Sequence, residues 1–248
     1  MTRQAMIFAA GLGTRLRPLT DTMPKALVPV AGQPLLWHVL MKLKAEGFSL
    51  IVVNVHHFAA QIVGYLEQNE YFGLDVRISD ESDRLLDTGG GIRHALPLFD
   101  PSSPVLIHNV DILSNARLAS LYDSCVDSEA DALLLVSQRK TKRYLLFDSD
   151  MVLNGWTNIE TEEVKGISEP QFEASKTSFT MLAFSGIHVL SPSLFPLLAD
   201  MPDRFPIIDF YLSHCHSQHF IGCEQPGLRL LDVGKIDSLH EAETFATN

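Results

Sequence analysis

Cysteine, tryptophan and positive charge are all scarce in this 248-residue chain. Its three cysteines, Cys125, Cys215 and Cys223, are an odd number and form no C-x-x-C pair. That argues against a disulfide framework and predicts a reducing, cytoplasmic setting. Lysine and arginine total 19 against 30 aspartates and glutamates, a net charge of −11. So acidic a surface argues against nucleic acid or an anionic membrane as a partner. No apolar run approaches the ~20 residues that cross a bilayer. The apolar part of MTRQAMIFAAGLG is too short for a signal peptide and meets glycine too soon. No internal repeat or low-complexity stretch is present. Hydrophobic residues at 46% and charged residues at 20% exclude disorder and coiled coil.

What is there alternates. Residues 5–10 (AMIFAA), 50–55 (LIVVNV), 75–78, 105–108 and 132–136 read as short buried strands. Helical patterns fall between them at 34–46, 58–66, 91–96 and 118–126. Strand–helix alternation of this kind predicts an α/β fold: a Rossmann-like, mixed but mostly parallel sheet with helices on both faces. After about residue 137 the pattern changes to short strands separated by turn residues, at 145–147, 151–153 and 164–167. A strand at 183–190, helices at 193–199 and 207–215, and a last strand at 228–233 follow. The reading is one domain over 1–248 with a loop-rich region at about 138–182.

The loop after the first strand reads Ala10-Gly11-Leu12-Gly13-Thr14-Arg15-Leu16-Arg17-Pro18-Leu19-Thr20, then Pro24-Lys25-Ala26-Leu27-Val28-Pro29-Val30. Two glycines one residue apart let a backbone turn sharply and bring its N–H groups to an anion. Arg15 and Lys25 add cations at the same point, a planar fork and a point charge for phosphate oxygens. No G-K-[ST] follows, so this is not a Walker A loop. Leu16 stands where a dinucleotide-binding loop has its third glycine, and Asn54-Val55-His56 provides no acid at the end of the second strand.

Two aspartates end apolar strands, Asp111 after 105–110 and Asp232 after 230–231. Brought together, and completed by phosphate oxygens and water, they would form an all-oxygen Mg²⁺ site. Asp87-Thr88-Gly89-Gly90-Gly91 precedes a helical pattern. Three consecutive glycines are costly in chain entropy and imply close backbone approach, here in an expected strand–loop–helix arrangement. His214, Cys215, His216, His219 and Cys223 cluster on a predicted helix and its exit, without the spacing of a zinc site.

The loop resembles the signature of the sugar-1-phosphate nucleotidyltransferases, G-x-G-T/S/E-R-hydrophobic-x-P-L-T followed by P-K-x-hydrophobic-hydrophobic-P-V. The likeness runs to the chain's end and is weakest over roughly 138–178. It implies transfer of a nucleoside monophosphate from an NTP to a sugar 1-phosphate, with Mg²⁺ and release of pyrophosphate. Carried over residue by residue, it implies nucleotide contacts from Ala10, Gly11, Gly13, Thr14, Arg15, Lys25, Asp87, Gly89 and Gly90. It gives Arg15, Lys25 and Asp111 the catalytic roles, and Asp111 and Asp232 the metal. Asn109 and Gly186 are placed at the sugar. Val110 replaces the family's glycine in Asn-Gly-Asp, Asp87 replaces glutamate in Glu-Thr-Gly-Gly-Gly, and Lys235 stands where Thr or Asn is frequent. The favoured substrates are UTP and N-acetylmuramate 1-phosphate, for nucleotide-sugar biosynthesis serving the cell wall. A GTP-dependent enzyme for mannose or heptose 1-phosphate is the alternative, and a nucleotide-sugar-binding regulatory homologue the non-enzymatic one. For the lactyl carboxylate of a muramyl sugar, Arg143, Lys165 and Lys176 are the candidate donors, with Tyr144 near the expected polar sugar contact.

Overall fold

Continuous burial marks the first strand, β1 (Arg3–Phe8), whose central residues are all inaccessible to solvent. A parallel strand covered on both faces needs an unbroken apolar run, and AMIF supplies it. The computed structural model describes residues 2–247, and their side chains except those of Lys176, Ala246 and Thr247. After β1 come 3₁₀ turns and a small hairpin of β2 (Pro29–Val30) and β3 (Gln33–Pro34). Then α1 (Leu35–Ala45), β4 (Phe48–Val55), α2 (Ala59–Gln68), β5 (Asp75–Asp80), α3 (Asp87–Ala95) and β6 (Val105–Asn109) alternate. β7 (Ile112–Ser114), α4 (Leu118–Asp127) and β8 (Ala132–Ser137) complete the first half. The second half holds β9 (Arg143–Phe147), β10 (Leu153–Asn158), β11 (Glu163–Lys165), α5 (Glu169–Ser175) and β12 (Thr180–Leu190). It ends with α6 (Phe195–Ala199), α7 (Ile207–His214), β13 (Phe220–Cys223), β14 (Leu230–Asp232) and α8 (Ile236–Thr247).

One ten-stranded mixed sheet runs β11-β10-β9-β12-β6-β1-β4-β5, with β8 and β13 joined through β12. Its heart is parallel: β1 lies between β4 and β6, and β5 extends β4. The expected α/β fold with helices on both faces is present. Alternate residues of the strands feed two cores. Ala5, Ile7, Ile51 and Val53 face one with α1, α2 and α4, while Met6, Leu50 and Val52 face the other with α3, α6 and α7.

The change of pattern near residue 137 is an antiparallel addition, β9–β10–β11, attached through β12. Two expectations need correction. The triple glycine is not a loop but the first turns of α3, which starts at Asp87 rather than Gly91. The 151–153 and 164–167 strands are shifted to 153–158 and 163–165, where cross-strand pairing decides the limits. The His/Cys cluster lies, as read, on a helix end and its exit, with Cys223 carried on into β13, which pairs with the buried β8. Among the described residues, no helix is long and apolar enough to cross a membrane.

Candidate active site

The carboxyl ends of β1, β4, β5 and β6 meet at one edge of the parallel sheet, the position where open α/β sheets hold ligands. A cavity of about 220 Å³ opens there. One end is lined by Ala10, Gly11, Lys25 and Asp111, the other by Glu81, Asp87 and Thr88, with Asn54 and Asn109 also in its wall.

The phosphate-loop end is held by the loop's own fold. Gly13 is left-handed, φ +63°. A Cβ there would stand 2.8 Å from Thr20 Cγ2 and 3.0 Å from Lys25 Cβ, so only glycine lets the chain fold back this tightly. Thr20 Oγ1 and the Leu16 N–H both donate to the Gly13 carbonyl at 2.8 Å. Lys25 opens a 3₁₀ turn behind the extended Pro24, and its ammonium donates to the Asp111 carboxylate. Both side chains are largely buried, 11% and 17% exposed.

Asp111 stands in the turn just before β7, and Asp232 ends β14, the strand paired with β7. Asp232 is in register with Ile112 across the β7–β14 pair, and the Val233 N–H donates to the Asp111 carbonyl at 2.8 Å. The arrangement sets the backbones of the two predicted metal residues side by side. Arg15 reaches the same corner over Gly234. A Cβ on Gly234 would lie 2.6 Å from Asp232 Oδ1 and 2.8 Å from Arg15 Nη2. Thr14 and Arg15 are exposed beside it.

Asn109 and Gly186 are also neighbours. Gly186 is left-handed, φ +77°, where the pairing of β12 with β8 shifts register. A Cβ there would stand 2.5 Å from Asn109 Nδ2. The His108 ring donates from Nδ1 to the Asn109 carbonyl at 2.8 Å, and burial holds its pKa down to about 4.

At the far end, Asp87 lines the cavity with its carboxylate on Arg204 Nε, 2.8 Å away. Gly89 and Gly90 do not line it. Their N–H groups donate to the Phe205 carbonyl at 2.8 and 3.1 Å, and a Cβ on either would collide with residues 203–205. The close approach demanded by the glycines is thus an approach of protein to protein, which puts their own amides out of reach of a nucleobase.

The polar residues Asn54 and Glu81, behind the loop, escaped the sequence reading. Asn54 Oδ1 accepts the N–H groups of Ala9 and Ala10 at 2.7 and 3.2 Å, and its Nδ2 donates to Glu81 Oε1 at 2.7 Å. Glu81 is 3% exposed and burial raises its pKa. Asn54 carries the signal that singled out Asp111, a polar residue near the end of an apolar strand, whereas Glu81 follows the mixed strand DVRISD and has no such signal.

Of the candidate donors for an acidic sugar, Lys165 pairs with Glu163 at 3.3 Å and lies over the Trp156 ring. Arg143 is exposed. The Lys176 side chain lies outside the described residues. Tyr144 Oη accepts the Thr141 N–H at 3.1 Å.

Comparison with known proteins places this geometry. The nucleotidyl transferase family profile matches residues 4–248. The N-acetylmuramate alpha-1-phosphate uridylyltransferase of Caulobacter vibrioides is 36% identical over 204 residues, 80% of this chain and 78% of that protein. The enzyme of the same name from Neisseria meningitidis serogroup B is 32% identical over 248 residues, 98% of each chain. Among solved structures, HddC from Yersinia pseudotuberculosis complexed with GMP-PN is similar with a TM-score of 0.77 at 20% identity, covering 98% of this chain and 99% of that one. A putative glucose-1-phosphate thymidylyltransferase from Bacillus anthracis reaches 0.81 at 16% identity, over 100% and 96%. These two likenesses concern the fold.

Proposed function

The chain belongs to the nucleotidyl transferase family, and we propose that it joins UTP to N-acetylmuramate 1-phosphate, with Mg²⁺ as cofactor. Transfer of a nucleotidyl group to a sugar 1-phosphate is the class of reaction. The observation that supports the site assignment is the Lys25–Asp111 pair lining the cavity with Gly11, with Asp232 on the strand paired to β7 and close to Arg15 at Gly234. The substrate pair is favoured by the two uridylyltransferases above, which match most or all of the chain.

In the reaction a sugar phosphate oxygen attacks the α-phosphorus of UTP in line. One P–O bond forms, and the bond to the β-phosphate oxygen breaks, so pyrophosphate leaves with its electron pair. With a second pKa of about 6, the phosphate is already mostly dianionic at neutral pH, so no protein base is needed. The difficulty is bringing two anions together, and catalysis is positioning and charge stabilisation. Lys25 and Arg15 hold the triphosphate. Carboxylate oxygens are the donors a magnesium ion takes, and Asp111 and Asp232 would hold it. Held there, it would supply positive charge that offsets the charge gathering at the reacting centre. Asn109, set against Gly186, faces the sugar. The product would serve cell-wall synthesis in the cytoplasm.

The test is a pyrophosphate-release assay with Mg²⁺, comparing kcat/KM for UTP and GTP with N-acetylmuramate, mannose and heptose 1-phosphates. A preference for UTP with N-acetylmuramate 1-phosphate is expected. A preference for GTP with mannose or heptose overturns the substrates and leaves the reaction class; no release with any pair favours the regulatory alternative.

A further inference from the structure

In the wall of the cavity, one continuous set of hydrogen bonds joins two segments of chain that both face it. Ala9 and Ala10, at the start of the phosphate loop, give their N–H groups to Asn54 Oδ1. Asn54 Nδ2 donates to Glu81 Oε1, and Glu81 Oε2 accepts the Leu86 N–H, at 3.2 Å, immediately before Asp87. Asn54 and Glu81 are each 3% exposed. The orientation of the Asn54 amide is forced, since only its oxygen suits two N–H donors and only its nitrogen suits a carboxylate. Gly91 makes the room: a Cβ there would lie 2.8 Å from Glu81 Oε1 and 3.3 Å from Asn54 Nδ2. Among the described residues Glu81 forms no ion pair with lysine or arginine. A buried carboxylate held only by hydrogen-bond donors is a costly element for a core, since an apolar pair would fill the same space.

We propose that Asn54 and Glu81 are positioning residues: a bracket that fixes the phosphate loop against the start of α3. By taking the Ala9 and Ala10 N–H groups, Asn54 turns those two amides away from the ligand. It sets the path on which Gly11 to Thr14 meet the triphosphate. Glu81 acts through Asn54, and through Leu86 it holds Asp87 at the opposite end of the same cavity. The bracket rests on the nucleotide-binding reading given above.

Its chemistry permits a swap. In Asn54→Asp two carboxylates face each other. In Glu81→Gln an amide N–H₂ is forced against the Asn54 N–H₂ or the Leu86 N–H. In the double variant Asn54→Asp/Glu81→Gln the complementarity returns: the new carboxylate accepts from Ala9, Ala10 and the glutamine amide, and the glutamine oxygen accepts from Leu86. We would measure KM for UTP and for the sugar phosphate by pyrophosphate release, thermal midpoints, and deuterium exchange of the peptide spanning residues 8–14 in the free protein. Each single variant is expected to raise KM for UTP by about tenfold or more, with a smaller change for the sugar phosphate and faster loop exchange. The double variant is expected to recover most of both. If one single variant is too unstable to assay, the other and the double still decide. Wild-type KM and loop exchange in the single variants would overturn the bracket. So would a double variant no better than the worse single, or lower thermal midpoints with KM unchanged. Absence of turnover in the wild type would sink the nucleotidyl-transfer reading, whereas the loop exchange judges the bracket without reference to turnover.

Discussion

Lys25 donates to the carboxylate of Asp111, 86 positions further along the chain, so the cation proposed for phosphate and the carboxylate proposed for metal hold each other in place. Neither has to be drawn out of bulk water when substrates arrive. Asp111→Asn retains an oxygen for Lys25 but removes the negative charge, and is expected to fold normally and lose activity by roughly 100-fold or more. Lys25→Ala is expected to raise KM for the NTP by about tenfold or more, a charge-assisted contact of ~1.5–3 kcal/mol. Lys25→Arg is expected not to restore it, because a planar fork cannot take the place of a point charge. Activity assays at saturating Mg²⁺, with circular dichroism to check folding, decide both. A rate near that of the wild type in Asp111→Asn would remove Asp111 from the metal site.

The parallel half of the fold was legible because its strands are unbroken apolar runs and its helices keep one apolar stripe, as in residues 35–43 of α1. The tight turn after β1 was legible for a different reason: Gly13, Thr20 and Lys25 stand close together in sequence, so their spacing carries the geometry. Gly89 and Gly90 misled because a glycine run reports close approach without naming what approaches. The partner is Phe205, more than a hundred residues away. Asn54 and Glu81 were missed because a single polar residue at a strand end has no local partner to announce it. The limits of β10 and β11 depend on pairing with each other and with β9, which no local pattern encodes.

Gly234 leaves room for both Arg15 and Asp232, since a Cβ there would crowd the two side chains. Gly234→Ala is therefore expected to push the guanidinium out of its seat while leaving the core unchanged. KM for the NTP should rise several-fold to about tenfold, in the range of one displaced charged contact. Arg15→Ala/Gly234→Ala should be little worse than Arg15→Ala alone, because both changes act on one interaction. Additive losses in that double variant would contradict the coupling.

Gly186→Ala tests the sugar side. The residue is left-handed, and a methyl group would strike Asn109 Nδ2. Strain of roughly 1–3 kcal/mol is expected to lower stability. The displaced Asn109 should raise KM for the sugar phosphate more than KM for the NTP. An equal rise in both constants would deny Asn109 its place at the sugar.

Two buried histidines give the fold a sensitivity to mild acid. His108 hydrogen-bonds the Asn109 carbonyl and His188 the Tyr211 hydroxyl at 2.9 Å, and the Nε2 of each has no hydrogen-bond partner among the described residues. Burial lowers their pKa values from 6.5 to about 4 and about 3. Between pH 6.5 and 4 the unfolded chain therefore binds protons that the folded chain refuses, and stability falls as pH falls. At pH 5 each ring should cost roughly 2 kcal/mol relative to pH 8. Glu81 works the other way. Burial raises its pKa, so the folded state regains some stability as the carboxyl protonates. The decisive measurement is thus a difference of slopes: urea unfolding of the wild type and of His188→Leu across pH 8 to 5. His188→Leu starts lower, having stripped Tyr211 of its partner, but should lose about 2 kcal/mol less on acidification. Parallel pH profiles for the two proteins would mean that His188 is not held neutral by the fold.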